Sequence, residues 1–202
     1  MDRALIIFVK NNQPGKVKTR LAKDIGYEKA SEIYHWLINY TKYQVSHVAT
    51  DIYIFYSEYL EIQDQWSGQN VFKMIQQGQD LGERMMHAFQ TVFEAEYNQV
   101  VIIGSDCYGL ETPLIRKAFK KLEQSDMVVG PATDGGYYLL GVKKYYADLF
   151  SDKSWSSDQL LSETLAAANK LDLNVSQLKA LTDIDYLEDL KQTGLEYLID
   201  ED

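Results

Sequence analysis

Three short segments carry the side chains that could do chemistry. The first reads Lys10-Asn11-Asn12-Gln13-Pro14-Gly15-Lys16-Val17-Lys18-Thr19-Arg20-Leu21. Gly15 permits a tight turn, Lys10, Lys18 and Arg20 supply cationic donors, and Thr19 adds a hydroxyl. A guanidinium fork with ammonium point charges is the donor set that a di- or triphosphate takes. The segment is not a Walker loop, because Val17 follows Gly15-Lys16 and no glycine stands five residues before Gly15. A solvated basic loop would have the same composition.

The second segment, Ile103-Gly104-Ser105-Asp106-Cys107-Tyr108, follows an apolar run. An aspartate at the end of a buried strand faces the crevice, and its carboxylate is a hard oxygen ligand for Mg²⁺ or Mn²⁺ shared with phosphates. The alternative is that Asp106 or Ser105 closes a turn. Cys107 has no obvious histidine partner, since His35, His47 and His87 fall in or just past helical segments, so it reads as a small buried residue. The third segment is Gly130-Pro131-Ala132-Thr133-Asp134-Gly135-Gly136-Tyr137. Adjacent glycines expose amides and allow close ligand approach, and Asp134 could hold a hydroxyl or a metal. Asp-Gly-Gly also suits a plain hairpin turn. If the loop binds an acceptor, valine at 135 or 136 is expected to abolish acceptor use and leave the fold largely intact.

Outlying residues are open to two readings as well. Asp80 suits a helix N-cap, and Arg84 beyond it could reach an anion or stay solvated. Asp183 and Asp185 could cap a helix or supply a further metal carboxylate. Asp152, Ser154, Ser156, Asp158 and Glu163 match the ligand spacing of a calcium loop, but Ser157 stands where the sharp turn demands glycine. A capping box between Ser156 and Gln159 accounts for the same stretch.

The elements that must position these segments alternate along the chain. Apolar or alternating runs at 4–9, 51–56, 71–75, 100–103, 127–129, 137–142 and 173–178 read as strands. Helical spacing appears at 28–45, with Ala30, Ile33, Tyr34, Leu37 and Tyr40, and at 81–93, with Leu81, Met85, Phe89 and Val92. Thr112-Pro113 opens a third helix with Thr112 as its cap, Leu160 to Ala168 form a fourth, and Ile184, Leu187 and Leu190 mark a closing one. Such alternation predicts an α/β fold of three layers, a mostly parallel sheet with helices on both faces. Ligands of these sheets bind at the carboxyl ends of the strands, where all three segments should open together.

Composition narrows the class. The chain has 202 residues, 46% hydrophobic and 25% charged, which suits one globular domain over 1–202. One cysteine excludes an internal disulfide. The net charge of −10 argues against nucleic acid or an anionic membrane as partner. Residues 1–23 nevertheless carry Arg3, Lys10, Lys16, Lys18, Arg20 and Lys23 against Asp2 alone, as a site for a small anion would. Residues 182–202 are acidic, through Asp183, Asp185, Glu188, Asp189, Glu196, Asp200, Glu201 and Asp202. No run approaches the ~18 apolar residues of a membrane span, and the first, Ala4 to Val9, is too short for a secretory signal; the expected location is cytoplasmic.

Together, Pro14 to Leu21, Asp80-Leu81-Gly82-Glu83-Arg84-Met85, Gly104-Ser105-Asp106-Cys107, Gly130 to Leu139 and Asp183-Ile184-Asp185 resemble the DUF2064 family, also described as radical-SAM/selenodomain-associated transferase 1 proteins. That family is related to the guanylyltransferase of coenzyme F420 synthesis and, more distantly, to the molybdenum-cofactor guanylyltransferase. The resemblance runs from Ala4 to about Leu190. It implies a GT-A, nucleotide-diphospho-sugar transferase-like fold, nucleotide phosphates on the first loop, and a metal-binding aspartate at Asp106. The family usually follows Ser-Asp-Cys with Pro-Asp, where Tyr108-Gly109 stand here. With that acidic residue absent, either Asp185, or less readily Asp183, would help to hold the metal, or the metal would keep more waters.

The resulting expectation is a transferase dependent on Mg²⁺ or Mn²⁺ that acts on a nucleotide donor and a small-molecule acceptor. Lys10, Gly15, Lys18, Thr19, Arg20 and Arg84 would bind the nucleotide, and Asp134, Gly135, Gly136 and Tyr137 the acceptor or sugar. Asp106, Lys18 and Asp134 would be the catalytic set. Glycosyl transfer from a nucleotide sugar leads, with nucleotidyl transfer to a phosphorylated small molecule second. A silent nucleotide- or sugar-binding protein on the same scaffold is the rival from another class.

Overall fold

A computed structural model describes residues 2–200, so Glu201 and Asp202 of the acidic tail lie outside the described residues. Seven strands make one sheet: β1 (Arg3–Val9), β2 (Asp51–Tyr56), β3 (Val71–Ile75), β4 (Gln99–Gly104), β5 (Met127–Pro131), β6 (Tyr137–Val142) and β7 (Val175–Gln177). Their order is β3-β2-β1-β4-β6-β5-β7. All neighbours are parallel except β6, which runs antiparallel between β4 and β5. The predicted fold class is therefore observed, with one reversed strand.

Alternation within the apolar runs explains the layers. In β1, Leu5, Ile7 and Val9 face one way and Ala4 and Ile6 the other, and all are buried. β4 divides likewise, Val101 and Ile103 against Val100 and Ile102. Runs without polar alternation belong to strands covered on both faces, and each buried Leu, Ile or Val side chain contributes about 1.5–3 kcal/mol. Helices α1 (Ala22–Ile25) and α2 (Tyr27–Ser46) follow β1, α3 (Leu81–Phe93) follows β3, and α4 (Thr112–Leu122) follows β4. α2 and α4 cover one face through Tyr34, Ile38, Ile115 and Phe119. α3 and α5 (Leu160–Lys170) cover the other through Met85, Phe89 and Ala168.

Two predicted caps are absent. Thr112 is the first residue of α4, not its cap, and its hydroxyl donates to the Gln44 carbonyl at 2.7 Å. Ser156 and Gln159 form no capping box: Gln159 is the N-cap of α5 without a side-chain bond, and Ser156 has φ +62°. Glu163, the last residue of the calcium-like spacing, instead accepts from the Ser154 amide and hydroxyl at 2.7 and 2.8 Å. Asp80 does cap α3, accepting from the Glu83 amide at 2.8 Å.

The C-terminal segment positions half of the site. Ile184 is buried with Leu190 of α6 (Leu187–Thr193) against Leu21 and against Ile33 and Leu37 of α2. Leu198 of α7 (Tyr197–Asp200) joins this cluster. The predicted closing helix thus starts three residues after Ile184. Docking of the segment brings Asp183 and Asp185 beside the first loop.

Candidate functional site

The three loops open at one edge of the sheet, as the strand directions require. Lys10, Lys18, Thr19, Arg20, Asp106, Asp134, Gly136, Tyr137, Asp183 and Asp185 line one polar cleft of about 430 Å³. Gly15 lies outside it, exposed on the first loop. Pro14 and Gly15 take the central positions of a turn closed by the Lys16 amide on the Gln13 carbonyl at 3.0 Å. Gly15 has φ +83° there, which the third position of a type II turn demands. Gly135 does not line the cleft either. Arg84 lines an adjoining space of about 500 Å³ with Lys10, Gln76, Gln79 and Asp106. Its guanidinium donates to the Gly78 carbonyl at 3.2 Å.

Lys18 is the centre of the arrangement. Val17 and Leu21 on either side are buried in two different core clusters, which holds the backbone and turns the Lys18 side chain inward. Lys18 has φ +45°, a left-handed conformation that a non-glycine residue keeps only where its surroundings hold it. Its ammonium, 3% exposed, donates to Asp106 at 2.8 Å and to Asp185 at 3.1 Å. Asp185 also takes Arg20 at 3.0 Å, and the Arg20 guanidinium lies over the Tyr186 ring. Burial alone would lower the Lys18 pKa, but the two carboxylates outweigh it and hold it above the ordinary lysine value. Burial pushes the Asp106 carboxyl up, and Lys18, with help from Lys10, brings it below the usual range.

Asp183 is the surplus charge. Burial first, then the Asp106 carboxylate, push its carboxyl up to about 7, while the Cys107 thiol and Lys18 oppose the shift. Cys107 itself is buried, with its thiol pushed up by burial and then by Asp183, which disfavours the thiolate that nucleophilic attack needs. Because the folded state holds the Asp183 proton more tightly than the unfolded chain, that proton favours folding below about pH 4. This stabilisation is lost as pH rises to about 7. In metal-free protein, Asp183→Asn should therefore gain stability over the wild type across that window and keep the gain at pH 8. We expect about 1–2 kcal/mol at pH 8, discounted for the open cleft from ~1.4 kcal/mol per pKa unit. Urea denaturation of both proteins at pH 4.5 and pH 8 with chelator measures it, and an equal difference at the two pH values would refute it.

Several positioning residues were not legible in the sequence. The Tyr34 hydroxyl accepts the Lys10 amide and meets Ser105 Oγ, each at 2.9 Å, so it ties the first loop to the second. Asn11, 5% exposed, accepts from the Glu58 amide at 2.9 Å and donates to the Tyr59 carbonyl at 3.0 Å. Asp189 accepts from the amides of Asp185 and Tyr186 at 2.9 and 2.8 Å, which fixes the approach of Asp185. An uncharged asparagine after a strand, Lys10-Asn11, was the available signal for the second of these.

Asp134 accepts from the Gly136 amide at 2.9 Å, the two-residue reach of an Asx turn. Its carboxylate still faces the cleft, but one oxygen serves the turn. Tyr108 packs with Trp36 and Tyr40, at ring-centroid distances of 5.8 and 5.0 Å. The Cβ of any side chain at Gly109 would lie 3.1 Å from Leu181. Among the described residues no three Asp, Glu, His or Cys side chains converge as a ready metal cage. Charge nevertheless suits a cation: Asp106 and Asp185 are paired with Lys18, and Asp185 also with Arg20, but Asp183 has no ion pair among the described residues, and burial together with the Asp106 carboxylate raises its pKa.

The sheet order, the reversed sixth strand and the cleft at the carboxyl edge define a nucleotide-diphospho-sugar transferase-like fold. A proposed nucleotide-diphospho-sugar transferase from Desulfovibrio desulfuricans G20 is 30% identical, with a TM-score of 0.86 over 98% of this chain and 94% of that one. A nucleotidyl transfer enzyme from Methanothermobacter is 12% identical, with a TM-score of 0.63 over 98% of both chains. The 4-diphosphocytidyl-2C-methyl-D-erythritol synthase of Anaerococcus prevotii is 11% identical, with a TM-score of 0.61 over 98% and 96%. These last two share the fold. No curated protein sequence matches. Residues 41–157 match the model of the family described as uncharacterized protein conserved in bacteria, DUF2064. The chain belongs to the DUF2064 family.

Proposed function

We propose that the cleft binds the phosphates of a nucleotide donor and that the protein transfers a group from that donor to a small acceptor. The observation that carries this reading is the Lys18 ammonium clasped by Asp106 and Asp185 beneath a rim of Lys10, Lys16, Thr19 and Arg20. Cations and carboxylates placed together at a strand edge suit a polyanion with a divalent ion. Positioning and charge neutralisation would then be the protein's main work. Asp106, with Asp185, would hold Mg²⁺ or Mn²⁺, which supplies charge neutralisation between donor phosphates. Lys18, relieved of its carboxylates, would turn to the phosphates together with Arg20. Asp134 and the Gly136 amide would orient the acceptor.

Glycosyl transfer from a nucleotide sugar is the leading version, supported by the description of the 30% identical Desulfovibrio protein. Nucleotidyl transfer is favoured by the number of cations around the cleft, which suits pyrophosphate as the leaving group. Slow hydrolysis of the donor with no acceptor separates the two: a nucleotide sugar would yield free sugar, an NTP would yield pyrophosphate.

The test of the reading is nucleotide binding by calorimetry with Mg²⁺ and with excess EDTA. Tight binding is expected only with the metal, because Asp106 beside phosphates is otherwise unfavourable. Asp106→Asn keeps the shape and removes the charge, so the metal dependence should vanish and metal-free affinity should rise slightly. Equal wild-type affinity in EDTA, or full metal stimulation in Asp106→Asn, would remove Asp106 from the metal site.

A further inference from the structure

Beneath the polar cleft lies a second, smaller cavity of about 180 Å³, and its chemistry is different. Phe8, Met85, Ile102 and Leu139 form its wall. Five residues are common to cavity and cleft, Leu81, Asp106, Tyr137, Leu160 and Asp183, so the two spaces are continuous. The cavity's polar atoms are few and mostly engaged. The Tyr138 hydroxyl donates to the Lys179 carbonyl at 2.9 Å, and the Tyr137 hydroxyl faces Met85 Sδ at 3.7 Å. The remaining polar side chains are the Cys107 thiol, which hydrogen-bonds Asp183, and the carboxylates of Asp106 and Asp183, which stand where the cavity meets the cleft.

From this we infer that the acceptor is a small molecule with a compact apolar body and a single polar end. The body fills the cavity, and the polar end emerges past Asp106 and Asp183 into the cleft that Asp134 and Gly136 line. The inference deepens the proposed function and rests on it, since the cleft above must hold the donor. Size supports it: an engineered apolar cavity of ~150 Å³ stays dry and takes up benzene, so the space fits one aromatic ring or a branched alkyl group. A polyhydroxylated acceptor is disfavoured by the same lining. Each hydroxyl buried without a partner gives up its hydration with nothing in return, and the wall offers no row of amides or carboxylates to receive them.

Benzyl alcohol and glycerol are suitable probes, because both carry hydroxyls and only one carries an apolar body. With methyl-labelled methionine, the Met85 methyl resonance should shift saturably as benzyl alcohol is added and stay in place with glycerol at the same concentration. Leu81 is 38% exposed and lines both spaces, so Leu81→Trp can block the mouth without entering the core. In Leu81→Trp the affinity for benzyl alcohol should fall at least tenfold. A Met85 resonance that is unmoved, that answers to glycerol equally, or that still shifts in a folded Leu81→Trp would overturn the inference. A nucleotide titration of the same sample keeps the two ideas apart. Nucleotide binding with a silent Met85 sinks the acceptor class alone, whereas a Met85 response without nucleotide binding sinks the donor reading and the acceptor role with it.

Discussion

Lys18→Met should lower stability by about 2–3 kcal/mol and remove tight nucleotide binding. Methionine preserves the aliphatic stem in its buried channel and deletes only the ammonium. Removing one partner of a buried ion pair costs about 3–5 kcal/mol, because the remaining charge is left uncompensated. Here the loss is smaller, since the side chains of Asp106 and Asp185 are 30% and 37% exposed and recover part of their hydration. The double variant Lys18→Met with Asp106→Asn should regain some stability while nucleotide binding stays lost. Denaturation midpoints and calorimetry on the three proteins provide the check. A Lys18→Met protein within 0.5 kcal/mol of wild type (roughly the scale of a surface substitution) would contradict a structural role for the pair.

Gly135→Val is the second large effect, and its meaning differs from what the loop's composition suggests. Gly135 has φ +90°, and a Cβ there would sit 2.2 Å from the Asp158 carbonyl oxygen. The Gly135 carbonyl also accepts the Leu161 amide at 2.9 Å, so this glycine is where the third loop packs on the start of α5. Backbone strain of about 1–3 kcal/mol and overpacking of about 1–3 kcal/mol act together, for an expected loss of roughly 3 kcal/mol or more. Valine at this position should therefore compromise the fold as well as any acceptor site. Gly136 is different: its Cβ would meet only the Asp134 carboxylate, at 3.2 Å, and it lines the cleft. Gly136→Ala is the variant that keeps the fold, and comparing melting temperatures of the two variants tests the distinction. Equal melting temperatures would mean that the contact with Asp158 is not what Gly135 is for.

The periodic elements were legible because their cause is local. β3, α3 and β6 coincide with the runs read at 71–75, 81–93 and 137–142. Strand direction then puts the three loops at one edge of the sheet. Partnerships were not legible, since Lys18 and Asp185 stand 167 positions apart and nothing in either neighbourhood names the other. Residue type alone points Lys18 to phosphates and Asp185 to metal, and in the structure the two hold each other. Caps failed for a related reason. Ser156 and Thr112 have the right side chains, yet Thr112 bonds to Gln44 across the fold and Ser156 sits in a left-handed turn. Asp134 was ambiguous by nature, because the spacing that closes an Asx turn also presents a carboxylate to a ligand.

The internal pairing of the first loop changes how a nucleotide would arrive. A cluster of unpaired lysines would project a field into solvent and draw anions from a distance, giving fast encounters that slow steeply with ionic strength. Here Lys16 is held by Glu58 at 2.8 Å, Lys18 by Asp106 and Asp185, and Arg20 by Asp185. Of the cations of this loop that line the cleft, Lys10 alone makes no ion pair among the described residues. The mouth is thus close to neutral when viewed from beyond a Debye length, and the protein's overall charge of −10 repels anions. Capture becomes an exchange of partners at short range, in which a phosphate reaching Lys16, Lys18 or Arg20 must displace a carboxylate. Selectivity then belongs to how long a ligand stays, and little of it to how often one is met.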